Sequence, residues 1–112
     1  MWDVEYTDEF ELWWESLTEA EQIDVAAVVD LLAERGTNLR FPFTSGILSH
    51  MRELRIQHAG YPYRVLYVFD PRRCAILLLG GNKTGDKRWY EKNVPIAEKL
   101  YQTHLDEIGQ ED

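Results

Sequence analysis

Residues 63–79 leave this chain little freedom of fold. Tyr63–Phe69 (Tyr-Arg-Val-Leu-Tyr-Val-Phe) is rich in β-branched and aromatic residues, and Cys74–Leu79 is a second apolar run. Both compositions favour extended backbone. Between them Asp70-Pro71-Arg72-Arg73 sets proline, with its fixed φ, at the second position of a turn. A β-hairpin is predicted, closed after its second strand by Gly80-Gly81-Asn82. Upstream, Met51, Glu53, Arg55 and Gln57 alternate with Arg52, Leu54 and Ile56, which predicts a strand with one mixed face; Gly60 and Pro62 turn it into the hairpin.

The N-terminal third reads differently. Trp2, Val4 and Tyr6 alternate with Asp3 and Glu5, the period of a half-buried strand. Thr7 or Asp8 can cap a helix with Phe10, Trp13, Trp14 and Leu17 on one face, core material together with the Ala/Val-rich helix that follows. Thr18 and Glu21 form a capping box for that second helix, which is expected to reach Arg35 and to end at Gly36. Residues 38–50 read as a loop. A last helix is expected over about 86–108, with Pro95 opening a new turn and Ala97, Leu100, Tyr101, Leu105 and Ile108 as its apolar stripe. The order β-α-α-β-β-β-α predicts an α+β fold with a mainly antiparallel sheet. No linker or repeat appears, so residues 1–112 are expected to form a single domain.

Charge is segregated along the chain. Residues 36–92 carry ten Lys/Arg against four Asp/Glu, residues 1–35 one against eleven, and residues 93–112 one against five. The net −8 would argue against a nucleic-acid partner, but binding follows the potential of one face and not the molecular average. The pattern implies a basic working surface mounted on acidic helices.

Three runs carry a family likeness: Glu53-Leu54-Arg55, then Gly60-Tyr61-Pro62-Tyr63-Arg64-Val65-Leu66-Tyr67, then Leu78-Leu79-Gly80-Gly81-Asn82-Lys83-Thr84. With Trp89-Tyr90-Glu91, Ile96-Ala97 and Leu100-Tyr101 they resemble the RelE/ParE toxin superfamily, above all its HigB-like, phage-derived branch. The resemblance implies a RelE-like fold and the toxin of a type II toxin–antitoxin system. The partner would be a cognate antitoxin, a helix-turn-helix protein encoded nearby. The activity would be ribosome-dependent, metal-independent cleavage of mRNA with no cofactor, the RNA's own 2′-OH attacking the adjacent phosphate.

The same likeness implies roles for individual residues. Arg64 would approach the scissile phosphate, where a planar permanent cation suits the developing charge; the competing reading is a half-exposed arginine paired with a carboxylate on the next strand. Arg55 would hold RNA backbone, and Lys83 would neutralise the phosphate or exchange protons. Tyr90 would stack on a base, a less demanding task than proton transfer for a phenol of pKa near ~10. Gly80-Gly81 would let a substrate backbone come close. Arg52, Arg73, Lys87 and Arg88 are further RNA-binding candidates, although Arg52 and Arg55 must face opposite sides of an unbulged strand. Glu53 is either a proton acceptor or, more simply, a salt-bridge partner for Arg55 or Arg64.

Other chemistries find less support. His50 and His58 would stand ~25 Å apart on an extended strand, too far to act on one phosphate. No His/Cys/Asp spacing suggests zinc and no carboxylate cluster suggests magnesium, so no metal is expected. Cys74 reads as a small buried hydrophobe. No signal peptide or membrane span is visible, and a cytoplasmic protein is expected. Two rival functions stay open: a ParE-type gyrase inhibitor, and a non-catalytic module whose basic strip holds an acidic antitoxin.

Overall fold

The computed structural model describes residues 1–109. Five strands, β1 (Val4–Tyr6), β2 (Thr44–Gly46), β3 (Met51–His58), β4 (Tyr61–Phe69) and β5 (Ala75–Asn82), form one sheet in the order β1-β5-β4-β3-β2. Only the β1–β5 pair is parallel. Helices α1 (Asp8–Ser16) and α2 (Glu19–Arg35) pack on one face, and α3 (Trp89–Gly109) on the other. The α+β class and the dominance of antiparallel pairing follow the sequence reading.

Local signals set the helix ends. The Thr7 side chain accepts from the Phe10 N–H at 3.0 Å, and Thr18 and Glu21 complete a reciprocal capping box. Gly36 ends α2 with φ +55, and a Cβ there would fall 2.0 Å from the Trp2 ring, so both conformation and space demand glycine. Alternation along β4 divides the core: Tyr63, Val65 and Tyr67 pack toward α1 and α2, Leu66 and Val68 toward α3. Buried on both faces, β4 and β5 are the centre of the sheet, as their apolar composition requires.

Four features depart from expectation. The predicted loop 38–50 contains β2, whose Ser and Gly carry little β propensity; the strand is held from outside, by Thr44 Oγ1 donating to the Glu53 carbonyl at 2.8 Å and meeting the Tyr67 hydroxyl at 2.7 Å. The β3–β4 turn is Ala59-Gly60, both at positive φ, while Pro62 lies inside β4 opposite Gln57. Helix α3 starts at Trp89 and carries Pro95 within it. Gly80 and Gly81 continue β5 instead of closing it.

The two glycines serve packing. A register shift opposite Leu66/Tyr67 leaves Leu78 extra in β5 and reverses which face each later residue takes. Gly80 therefore faces α1 and Gly81 faces α3. A Cβ would lie 2.2 Å from Trp13 at the first and 2.6 Å from the Trp89 indole nitrogen at the second. The expectation that they admit a substrate backbone is corrected: two tryptophans already occupy that space.

Candidate functional site

On the α3 face, the register of β3 and β4 sets Arg55 directly opposite Arg64. Two facing guanidiniums repel unless a counter-charge lies between them. Glu53, two residues before Arg55 on the same face, supplies it. Its Oε1 lies 3.2 Å from Arg64 Nε and its Oε2 3.4 Å from Arg55 Nη1. Ser45 of β2 donates to Oε2 and the Tyr90 hydroxyl, from the first turn of α3, donates to Oε1, each at 2.5 Å. Both carboxylate oxygens are thus engaged. Glu53 and Arg64 are buried, only 3% and 4% exposed.

Arg64 is further fixed by the Tyr63 carbonyl at 3.0 Å and by the Tyr90 oxygen at 3.3 Å. Burial, then the bond to Glu53, push the Tyr90 phenol up, against a smaller opposing effect of Arg64. The hydroxyl therefore stays neutral and donates. Lys83 sits with its Nζ 5.8 Å from the centre of the Tyr90 ring, and no carboxylate pairs with it among the described residues. One buried carboxylate thus meets two cations, Arg64 and Arg55; Arg55, about a third exposed, reaches the surface, as does Lys83 beside the Tyr90 ring.

The structure brings Arg55, Arg64, Lys83 and Tyr90 together. Arg64 lies behind Tyr90 and not at the surface, the pairing with a neighbouring-strand carboxylate that the sequence also allowed. Lys87 is exposed near the start of α3, and Arg88 pairs there with Glu91 at 3.2 Å. Arg52 and Arg73 lie elsewhere. Arg52 projects to the opposite face of β3, as strand alternation demands, and Arg73 sits in the β4–β5 turn with its guanidinium 4.9 Å over the Trp2 ring.

Each histidine is paired with a carboxylate: His50 with Glu98 at 2.7 Å, His58 with Asp24 at 2.7 Å, and His104 with Asp70 at 2.9 Å. Asp70, which the sequence offered only as a turn residue, is a buried anchor for the hairpin and α3. Burial opposes its ionisation, but donors from His104, Arg72 and the Cys74 N–H outweigh it and hold the carboxyl below the usual range. Ser45 and Phe41 also escaped the sequence reading. Ser45 sits in the unrecognised strand. Phe41 is 70% exposed with the Arg55 guanidinium 5.2 Å over its ring, and an aromatic directly after Arg40 was the available signal. Among the described residues no group of three His, Cys, Asp or Glu is placed to hold a metal ion, and no helix is long and apolar enough to cross a membrane.

Sheet order, helix placement and this basic cluster define a small RelE-like α+β fold. Residues 12–102 match the phage-derived Gp49-like proteins, and the chain belongs to that family, in its HigB-like branch. It is 41% identical over 100 residues to "Putative toxin HigB3" of Mycobacterium tuberculosis, spanning 85% of this chain and 86% of that protein. It is 34% identical over 87 residues to "Putative toxin HigB2" of the same organism, 72% of this chain but 43% of the longer relative.

Proposed function

We propose that this chain is the toxin of a toxin–antitoxin pair, and that it cleaves mRNA on the ribosome until a cognate antitoxin binds it. The observation that carries this reading is the buried Glu53 carboxylate, which holds two guanidiniums and a tyrosine hydroxyl in fixed positions beside Lys83, a lysine with no ion pair among the described residues. Such preorganised positive charge stabilises a phosphorane at no reorganisation cost during reaction.

In the proposed reaction the substrate's 2′-OH loses its proton to solvent and attacks the neighbouring phosphorus, the P–O5′ bond breaks, the 5′-oxygen takes up a proton to leave as a hydroxyl, and a 2′,3′-cyclic phosphate remains. Arg55 and Lys83 meet the phosphate oxygens. Arg64, buried, acts through Glu53 and Tyr90 as a positioning residue. The Tyr90 ring, tethered by its hydroxyl, presents a face for a base, and Lys87 and Arg88 hold backbone further along. Glu53 serves as a fixed counter-charge, since neither of its oxygens is free. The protein thus supplies alignment and electrostatics, and the ribosome completes the substrate geometry.

Purified protein incubated with translating ribosomes, and separately with gyrase and supercoiled plasmid, tests this reading. Cuts in ribosome-bound mRNA with unaffected gyrase are expected. Intact mRNA with inhibited gyrase would replace the proposal by the ParE-type function, and no effect on either by a non-catalytic antitoxin-binding role.

A further inference from the structure

The face of the sheet opposite Glu53 carries a second basic surface that the proposed chemistry leaves unused. A cleft of about 570 Å³ opens there between the segment following α2 and strands β2–β4, lined by Arg40, Phe41, Thr44, Arg52, Tyr67 and Phe69 among others. That volume lies within the range of roughly 300–1,000 Å³ typical of small-ligand sites. Among the described residues no carboxylate lines it, whereas Asp30, Glu107 and Asp24 each line one of three other clefts. Neither Arg40 nor Arg52 makes an ion pair among the described residues. A third such cation borders the cleft: Arg73 covers Trp2, which packs edge-on against Phe69 at 5.3 Å.

Guanidiniums without a counter-charge on an otherwise acidic face leave an anion site unfilled. The aromatic rings narrow the choice of anion. Phe41 stands 70% exposed at the rim, and Phe69 is half-buried in the wall. Tyr67, 1% exposed and with its hydroxyl committed to Thr44, closes the floor of the cleft and leaves the base to Phe41 and Phe69. Flat apolar faces beside arginines accept the π-face of a base while the arginines take its phosphate. An acidic peptide would satisfy the arginines and leave Phe41 in water.

We infer that this cleft binds a nucleotide of single-stranded RNA, its base against Phe41 and Phe69 and its phosphate between Arg40 and Arg52. The inference shares with the proposed function only the identity of the partner, since binding here requires no cleavage at Glu53. Phe41, whose ring also lies under Arg55, stands between the two surfaces, so one strand passing the edge of the sheet at β2 can reach both.

The test uses the Arg55→Ala/Lys83→Ala variant, which removes the exposed cations of the Glu53 face. Fluorescein-labelled hexaadenylate is titrated by anisotropy at several salt concentrations, with circular dichroism as a check on folding. Adding Arg40→Ala/Arg52→Ala should weaken binding at least about tenfold and flatten the log–log salt slope by ~0.7, the one phosphate held between the two arginines. Adding Phe41→Ala instead should weaken binding roughly tenfold, the loss of one stacked base, with the salt slope preserved. Adenosine monophosphate should shift the amide resonances of Phe41, Thr44 and Phe69. Unchanged affinity and slope in the folded Arg40/Arg52 variant would overturn the inference. So would capture of polyglutamate with no binding of hexaadenylate, or displacement of adenosine monophosphate by equimolar inorganic phosphate. Loss of cleavage on ribosomes with this binding intact would count against the proposed function alone.

Discussion

Removing Arg64 or Glu53 separately should cost far more than removing both. The two side chains are 4% and 3% exposed and meet at 3.2 Å, so deleting either leaves a desolvated charge behind. Breaking such a pair costs about 3–5 kcal/mol, and replacing both partners by residues of similar volume is often neutral. Arg64→Met leaves Glu53 the donors of Ser45, Tyr90 and Arg55, and should fall at the low end. Glu53→Gln leaves Arg55 and Arg64 facing each other across the strands with no counter-charge, and should fall at the high end. For a urea dependence of about 1.5 kcal/mol per molar, the midpoints should drop by roughly 2 and 3 M. The double variant Arg64→Met/Glu53→Gln should be more stable than either single variant, which requires a coupling of at least about 5 kcal/mol in the cycle. Urea unfolding followed by tryptophan fluorescence measures all four proteins. Single variants within ~0.5 kcal/mol of wild type, or losses that simply add, would refute the counter-charge argument and return Arg64 to a surface role.

Further outcomes follow from the same packing. Gly80→Ala should destabilise by about 1–3 kcal/mol in chemical denaturation, because its methyl meets the Trp13 ring, held against the core. Tyr63 donates to Glu21, and this bond together with burial raises its phenol to about 12. Its stabilisation is present below the unfolded value near ~10 and is lost as pH rises toward the folded value, so Tyr63→Phe should flatten the alkaline fall of the unfolding free energy. Asp70 is held below the usual carboxylate range; its contribution is present above ~3.9 and is lost as pH falls through the folded value. Asp70→Asn should therefore lower stability at neutral pH and narrow the gap from wild type in acid. Tyr90→Ala should lose ~1–3 kcal/mol of RNA binding, with Tyr90→Phe close to wild type if the ring stacks a base; a fully active Ala variant would assign Tyr90 to packing.

Much of this was written in local sequence. Thr7, the Thr18–Glu21 box and Gly36 set helix ends because capping depends on neighbours within a few residues. The β4–β5 hairpin declared itself by composition, and strand alternation separated Arg52 from Arg55. What stayed hidden depended on contacts distant in the chain. Strand β2 exists because Thr44 finds Glu53 and Tyr67, and nothing within residues 44–46 says so. Gly80 and Gly81 looked like a strand exit because the two tryptophans that require them come from other elements. Arg64 could be placed on its strand, but its burial depends on Glu53 and on Tyr90 from α3. The segregation of charge was visible, its division between two faces was not: Arg52 and Arg73 belong to a different surface from Arg55 and Lys83.

Cleavage of RNA by its own 2′-OH next to this cluster is the central step of the proposed function. End-group analysis of mRNA recovered from translating ribosomes tests it most directly, comparing an all-ribose message with one bearing a single 2′-deoxynucleotide on the 5′ side of the cut. Wild type should leave a 2′,3′-cyclic phosphate on the first message and spare that position on the second, and Arg55→Ala/Lys83→Ala should spare both. Cleavage that persists through the 2′-deoxy position, or that proceeds at wild-type rate in the folded double variant, would contradict 2′-OH attack beside the Glu53 cluster.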